Sequence, residues 1–546
     1  MAATGSDSQQ LLAASRGEKK ALSDRVANLF DEVAHLVMPW LPLDARARAA
    51  CSREAWRAAA AVPALWAELD FVRCDVRVTD AKLAALCARA GPALRSLRLD
   101  AFTCRDVGSH GLVAALRDGG CAGVRRIVAC LDSDHFALTP ALAVQLAAVC
   151  PELAHTEFKV SRRSLAEAAQ VAAALPGPLT LSIQNDHAPG RADGVMRGLL
   201  LPSVASLVAG ECELTQAEKT VLCEALRVNN SLKTLSIGLN RFNAADAVAL
   251  SEALRTNSTL TFLSAGANDI GAAGAAALSS ALQVNSTLTK LNLDSNGINA
   301  DGMAALGEAL RVNKTLRSLN LTGNDLNPGD AVVLAEALCV NTSLTSLFLN
   351  DVSLGESDAV AFGEALLTNK TLTSLDLSEN NVGDAGAAAI GEALRMNNTL
   401  KVLNLDNTSI KDRGVIAMGE ALRLGCALKK LSLSRNNFGG VGAVALSEML
   451  RVNNTITELD IGGGYSLDSG GVAALGEALR VNNTLTSLDL DGSNVDIDGA
   501  TALVKSLRLN TTLTWLNLEN NAIHAAGEAA LQQLPRVTTE QLTYVV

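Results

Sequence analysis

Groups able to do chemistry are thinly spread along this chain. The six histidines are His35, His110, His135, His155, His187 and His524, and none has metal-ligand spacing to another His or to a Cys pair. Eleven cysteines include no Cys-x-x-Cys, and eight of them precede residue 213, which predicts buried, reduced thiols and not a disulfide framework. There is no GxxxxGK[ST] phosphate loop and no GxSxG nucleophile elbow. The stretch GVGAVA at 440–445 fits the spacing of a dinucleotide-binding turn. Gly442, however, holds a place that Gly302, Gly386 and Gly414 hold in similar stretches, so the spacing belongs to a repeat. The expectation is a chain with no catalytic residues, no cofactor and no metal, hence not an enzyme.

One chemical signal does recur. Asn-x-Thr, the acceptor pattern for N-linked sugar, appears in LRVNKTLRSLNLT, LRMNNTLKVLNLD and LRVNNTLTSLDLD. The asparagines involved are Asn229, Asn257, Asn285, Asn313, Asn341, Asn369, Asn397, Asn453, Asn482 and Asn510, with Gly425 in the one exceptional copy. A sugar acceptor replaced by glycine would lose its function, whereas both residues tolerate φ > 0 just past a helix end. The pattern predicts a left-handed helix stop at each copy, not a row of glycans.

These signals sit in a strict repeat. Leucines opening an LxL step along the chain as Leu235, Leu263, Leu291, Leu319, Leu347, Leu375, Leu403, Leu431, Leu459, Leu488 and Leu516. The interval is constant, except that one residue is inserted between Leu459 and Leu488. Alternation around each anchor (Leu372, Leu375, Leu377) predicts a short buried parallel strand. Gly386, Ile390 and Leu394, at i, i+4 and i+8, predict a helix that follows it. Five residues past the anchor stands Asn240, Asn268, Asn296, Asn324, Asn380, Asn436 or Asn521, replaced by Val352, Thr408, Gly464 and Ser493 in the other copies. An inward amide there can bond a turn that no strand ladder serves. Irregular copies precede these, with strands predicted at Leu97, Ile127, Leu181 and Leu207 and a fifth near LAHTEFKV. A fixed period of about 28 residues means one supersecondary unit stacked into a solenoid.

Over roughly 230–535 the pattern LxLxxN, GxxALxxAL, N-x-T-L resembles leucine-rich repeats of the ribonuclease-inhibitor type, a repeat also found in NOD-like receptors and Ran GTPase-activating proteins. The resemblance implies an α/β leucine-rich repeat solenoid, a ribonuclease-inhibitor-like horseshoe with a parallel concave sheet and outer helices, and a protein-binding role. Residues 24–71 do not repeat and fit three helices, at about 28–38, 44–60 and 62–69. Their features, Asp31-Glu32-Val33, Leu36, Leu41-Pro42-Leu43, Cys51, Trp56 and Pro63-x-Leu65-Trp66, resemble an F-box. By that resemblance Leu29, Val33, Leu36, Leu41, Pro42, Trp56, Leu65 and Trp66 would dock a Skp-type adaptor of an SCF-type (Skp-cullin-F-box) ubiquitin ligase. The alternative is a helical cap over the first repeat. The divisions predicted are a disordered leader (1–23), the helical module (24–71), degenerate repeats (72–228), regular repeats (229–535) and a C-terminal cap (536–546).

Charge narrows the partners. Of 46 Lys+Arg and 57 Asp+Glu, residues 1–210 hold 23 against 21 and the remainder 23 against 36. The acidic remainder disfavours nucleic acid and suits a basic protein. No apolar run approaches the ~18 residues of a membrane span, and the start lacks a signal-peptide pattern, so a cytoplasmic protein is expected, the nucleus being left open. Strand alternation points Phe262, Lys290, Asp294, Phe348, Asp376, Asp406, Asp460, Asp489, Asp491 and Trp515 outward, as a partner-binding face. Two further readings stay open: a NOD-like-receptor-type sensor or scaffold without ligase recruitment, and a Ran-type GTPase activator, for which Arg241 and Arg435 are the suggestive positions.

Overall fold

A computed structural model of the protein describes residues 67–70, 78–99, 107, 109–130, 140–161, 175, 179–184, 204–423, 425–464, 467–523, 527, 531 and 542–543. The chain forms two compact units, Met1–Val208 and Ala209–Val546. The leader and the F-box-like residues Leu29, Val33, Leu36, Leu41, Pro42, Trp56, Leu65 and Trp66 lie outside the described residues.

In the first unit the strands Glu68–Asp70, Ser96–Leu99, Arg126–Cys130, His155–Ser161, Leu179–Gln184 and Val204–Val208 pair in chain order, all parallel. Helices Asp80–Ala90, Ser109–Asp118 and Pro140–Val149 occupy three of the connections. The five expected strands are all present. The sixth, Glu68–Asp70, corrects the end of the reading of 62–69 as helix: Leu69 is buried and pairs with Leu97, one full period further on, so the repeat reaches back at least to here, while residues 62–66 lie outside the described residues. It escaped notice because Trp66 and its neighbours look like the end of a helical motif.

The second unit repeats one motif. Three-residue strands from Thr234–Ser236 to Trp515–Asn517 pair in parallel, anchor against anchor, as in Leu319↔Leu347 and Leu347↔Leu375. Leu542–Thr543 adds a further parallel pairing to Leu516–Asn517. Each anchor is buried between two half-exposed or exposed neighbours, Ser432 beside Leu431 being the buried exception, so one face of the strands is in the core and the other is open. The helices, such as Ala300–Val312, Glu356–Thr368 and Gly383–Leu394, bury a Gly/Ala/Leu face. A Cβ on Gly386 would come within 2.5 Å of the Ala359 Cβ of the preceding copy, so only glycine allows this helix approach. Strands stack about 4.8 Å apart while packed helices need about 8–10 Å, so stacking curves the unit with its strands on the inner side.

Two asparagine ladders tie the copies together. In the first, Asn369 Nδ2 donates to the carbonyls of Leu338 (2.8 Å) and Asn341 (3.2 Å) in the copy before, while its Oδ1 accepts from the N–H groups of Thr371 and Leu372. The same set recurs at Asn257, Asn285, Asn313, Asn341 and Asn397. In the second, Asn380 Nδ2 donates to Leu349 O, Leu377 O and Ser378 O, and its Oδ1 accepts from the N–H groups of Val352 and Leu354. That is the inward amide the sequence predicts; Thr408 keeps part of the pattern with a hydroxyl.

The left-handed helix stop is corrected. Asn229, Asn257, Asn313, Asn341 and Asn369 are extended, with φ between −74° and −67°. Only Gly425 is left-handed there, with φ +96°. Asparagine is needed for its side chain, which satisfies two carbonyls at the helix end of the copy before and two N–H groups in the turn that follows its own helix. The left-handed residues lie elsewhere, four past every anchor, from Leu239 (φ 58°) through Glu379 (φ 57°) and Arg435 (φ 55°) to Asn520 (φ 54°). In every copy but the last that conformation aims the N–H at a carbonyl of the next copy, as Glu379 N–H at Asp406 O (2.8 Å). The conclusion against glycans stands on firmer ground, because each acceptor nitrogen of the buried ladder residues is already donated, to Ser231 Oγ at Asn229 and to backbone at the others.

Candidate protein-binding face

The open side of the second unit's strands brings the expected outward residues into register. Phe262 lies beside Lys290, Phe348 beside Asp376, and Asp460 beside Asp489, while Trp515 pairs with Ser487 at the last long pairing. Phe262, Phe348 and Trp515 are half-buried, so their rings lie partly against the sheet, and Lys290 is exposed. Asp294 is set apart from the other acids and leans over Gly266, where a Cβ would meet its carboxylate. Lys430 is paired with Glu458 across the strands at 3.4 Å.

The remaining acids converge. Ser432 Oγ donates to Asp406 Oδ1 (2.5 Å) and also lies 3.3 Å from Asp460 Oδ2, bridging two carboxylates from different copies. Burial pushes Asp460 up to about 6, against the lowering effect of the Gly462 N–H, with Asp489 and Asp406 adding repulsion. Burial likewise raises Asp406, opposed by hydrogen bonds from Ser432 and Ser434, with Asp376 raising it further. Ser432 and Glu458 were missed by the sequence reading. Both occupy strand positions flanking a core leucine, so the same alternation that found Asp376 would have found them.

Many of these acids also do local work. Where the third residue of a strand is Asp, it accepts from the N–H two residues on: Asp376 from Ser378 (3.0 Å), Asp460 from Gly462 (3.1 Å), Asp489 from Asp491 (2.8 Å). Asn292, Asn320, Asn404 and Asn517 close the turn in the same way. Asp and Asn are favoured there because either can close the turn, Ser236, Ser264, Phe348 and Ser432 being the exceptions, and the choice between Asp and Asn sets the charge of the face. From Asp376 to Asp491 the choice is mostly Asp. This gives a continuous acidic surface with one carboxylate oxygen per residue engaged and the other turned outward or shared with a neighbour.

Other candidate chemistry does not assemble. Gly442 sits inside the helix Gly440–Leu450, where a Cβ would meet Phe438 at 2.9 Å, and its N–H donates to Asp412, so the GVGAVA spacing serves helix packing. Among the described residues no three His, Cys, Asp or Glu could hold a metal ion, and no helix is long and apolar enough to cross a membrane. Burial raises Cys150 to about 11 and Cys223 to about 12, which removes the thiolate needed for nucleophilic attack at neutral pH. Arg241 and Arg435 both lie in turns after strands, each with φ +55°.

A leucine-rich repeat family model matches residues 284–307, 312–335, 368–391, 397–419, 426–447 and 481–504. No curated protein matches the chain. Among solved structures the chain is similar to actin-binding site 2 of leiomodin-1, 25% identical with a TM-score of 0.24, over 25% of this chain and 80% of that one. It is also similar to an internalin from Listeria monocytogenes, 16% identical with a TM-score of 0.38, over 68% of this chain and 81% of that one. The protein carries leucine-rich repeats, and its fold is a leucine-rich repeat solenoid.

Proposed function

We propose that this chain is a protein-binding receptor whose open sheet face holds a basic segment of its partner. The observation that carries the reading is the bridge Asp406–Ser432–Asp460, with Asp489 alongside, in which partly buried carboxylates stand close together on an accessible sheet. A Lys or Arg side chain there would replace mutual repulsion with charge-assisted hydrogen bonds. Phe348 and Trp515, half-exposed on the same face, supply the aromatic anchors that usually dominate binding energy. The role is binding, not catalysis.

The finer form of the proposal rests on the F-box-like residues and the ribonuclease-inhibitor-like repeat pattern: the chain is the substrate-recognition subunit of an SCF-type ubiquitin ligase. Two measurements test the two parts separately. Full-length protein is expected to co-purify with a Skp-type adaptor and cullin, and Leu36→Asp to abolish this; adaptor binding that survives the substitution, or is absent from the parent, rejects the ligase reading. Captured partners are then compared between the parent and a variant carrying Asp406→Asn, Asp460→Asn and Asp489→Asn. A basic partner retained equally by both rejects the acidic face as the binding site.

A further inference from the structure

The second unit exposes apolar side chains at one repeated position. The residue just before the capping asparagine is a large aliphatic in eight of the ten described copies, from Val228 to Leu509 with Val312, Val340, Met396 and Val481 between them. These eight residues are 50% to 76% exposed, and they account for more than half of the exposed large hydrophobics among the unit's described residues. The capping bonds are made by the asparagine that follows, so nothing in the helix end requires an apolar residue here. An exposed position that is aliphatic copy after copy forms a row of knobs along the edge of the unit where its helices end, away from the open strand face.

We infer that this row is a docking surface for a second copy of this chain, joined antiparallel about a two-fold axis. Three observations point to that occupant. The first is spacing: the knobs follow the helix stacking, about 10 Å apart, and an identical row reversed about a two-fold axis repeats that spacing, so knob meets knob along its length. The second is charge. Beside the row runs a band with Glu five residues before the asparagine position in nine of eleven copies and Arg two residues before it in eight of eleven. Arg311–Glu336, Arg395–Glu392 and Arg423–Glu448 already alternate within this band at 2.9–3.0 Å. A band of both signs is its own complement when reversed, whereas the same balance gives no attraction to an anionic lipid surface. The third is area: eight side chains at this exposure present on the order of 800 Å², what one partner contributes to a standard stable interface. Thr368 holds the sixth of the eleven positions, so the axis passes near it and Val340 faces the partner's Met396.

Sedimentation velocity of the full chain from roughly 1 to 100 µM tests the inference. A dimer is expected, and Val340→Asp with Met396→Asp is expected to weaken it at least about a hundredfold without changing the melting temperature, since both side chains are exposed. The milder pair Val340→Ser with Met396→Ser, which adds no charge, is expected to weaken it about tenfold. A parent that stays monomeric throughout, or a dimer untouched by either pair, overturns the proposal. So does a monomeric parent that binds phosphatidylserine vesicles and loses them with the substitutions, which would assign the row to a lipid surface. None of these outcomes bears on the strand face.

Discussion

Asn369 shows what a single residue contributes here. Its amide serves two carbonyls of the preceding copy and two N–H groups of its own, all buried except the half-buried Thr371 N–H. Removing it strands several of them at about 1–3 kcal/mol for each group left unpaired. Asn369→Ala is expected to destabilise by roughly 3 kcal/mol in chemical denaturation. Because Asn369 is extended, Asn369→Gly is expected to cost as much. A glycine variant near parent stability would return the residue to the role of a left-handed stop. The opposite holds at Leu239, which is 56% exposed with φ 58°. A non-glycine residue there pays about 1–2 kcal/mol for the left-handed conformation, so Leu239→Gly is expected to raise stability by roughly 0.5–1 kcal/mol. Nothing in the local sequence marks these turn positions, since Leu, Glu, Arg, Ser and Gly all fill them. The conformation is imposed by the carbonyl of the next copy, which sequence reasoning does not see.

At the scale of elements, the first two helices of the second unit, Gln216–Val228 and Ala244–Thr256, are joined by a buried ion pair. Lys219 Nζ lies 3.0 Å from Asp246 Oδ2, with the side chains only 7% and 2% exposed, and sits over the Phe242 ring. Burial works to raise Asp246, but hydrogen bonds from Gln216 and Asn243 and the Lys219 charge outweigh it and hold the carboxyl below its usual value. Lys219→Met would keep the packing and leave that charge unpaired. The expected loss is about 3–5 kcal/mol by thermal or urea denaturation; a loss below about 1 kcal/mol would mean water already reaches the pair. Helix and strand periodicity in this region was legible in the sequence. The pair was not, because its members stand in neighbouring helices and no pattern of types links them.

For the molecule as a whole, the acidic face makes both stability and binding depend on pH. Asp460 is raised to about 6 in the folded protein, chiefly by burial. Its contribution to stability is therefore fully present below the unfolded carboxyl value and is lost as pH rises through about 6. Asp460→Asn is expected to raise the melting temperature at pH 7.5 by roughly one or two degrees and to leave it unchanged near pH 4. Equal effects at both pH values would place the cost elsewhere. In binding the direction reverses. A basic partner needs the charged carboxylate, so affinity is expected to fall several-fold from pH 7.5 to 5.5 in the parent, and the fall to shrink in the Asn variant.

The period, the strands and helices of the regular copies and their buried leucines were determined by the sequence alone, because a repeated unit shows its two periodicities many times over. Tertiary structure decided the rest. It set which asparagine atoms bond which carbonyl, where the backbone turns left-handed, and which aspartates share a serine. It also placed Leu69 in the sheet and showed which apolar residues are left outside the core. Each of these depends on what the neighbouring copy presents across a few ångströms, and along the chain that neighbour stands a whole repeat away.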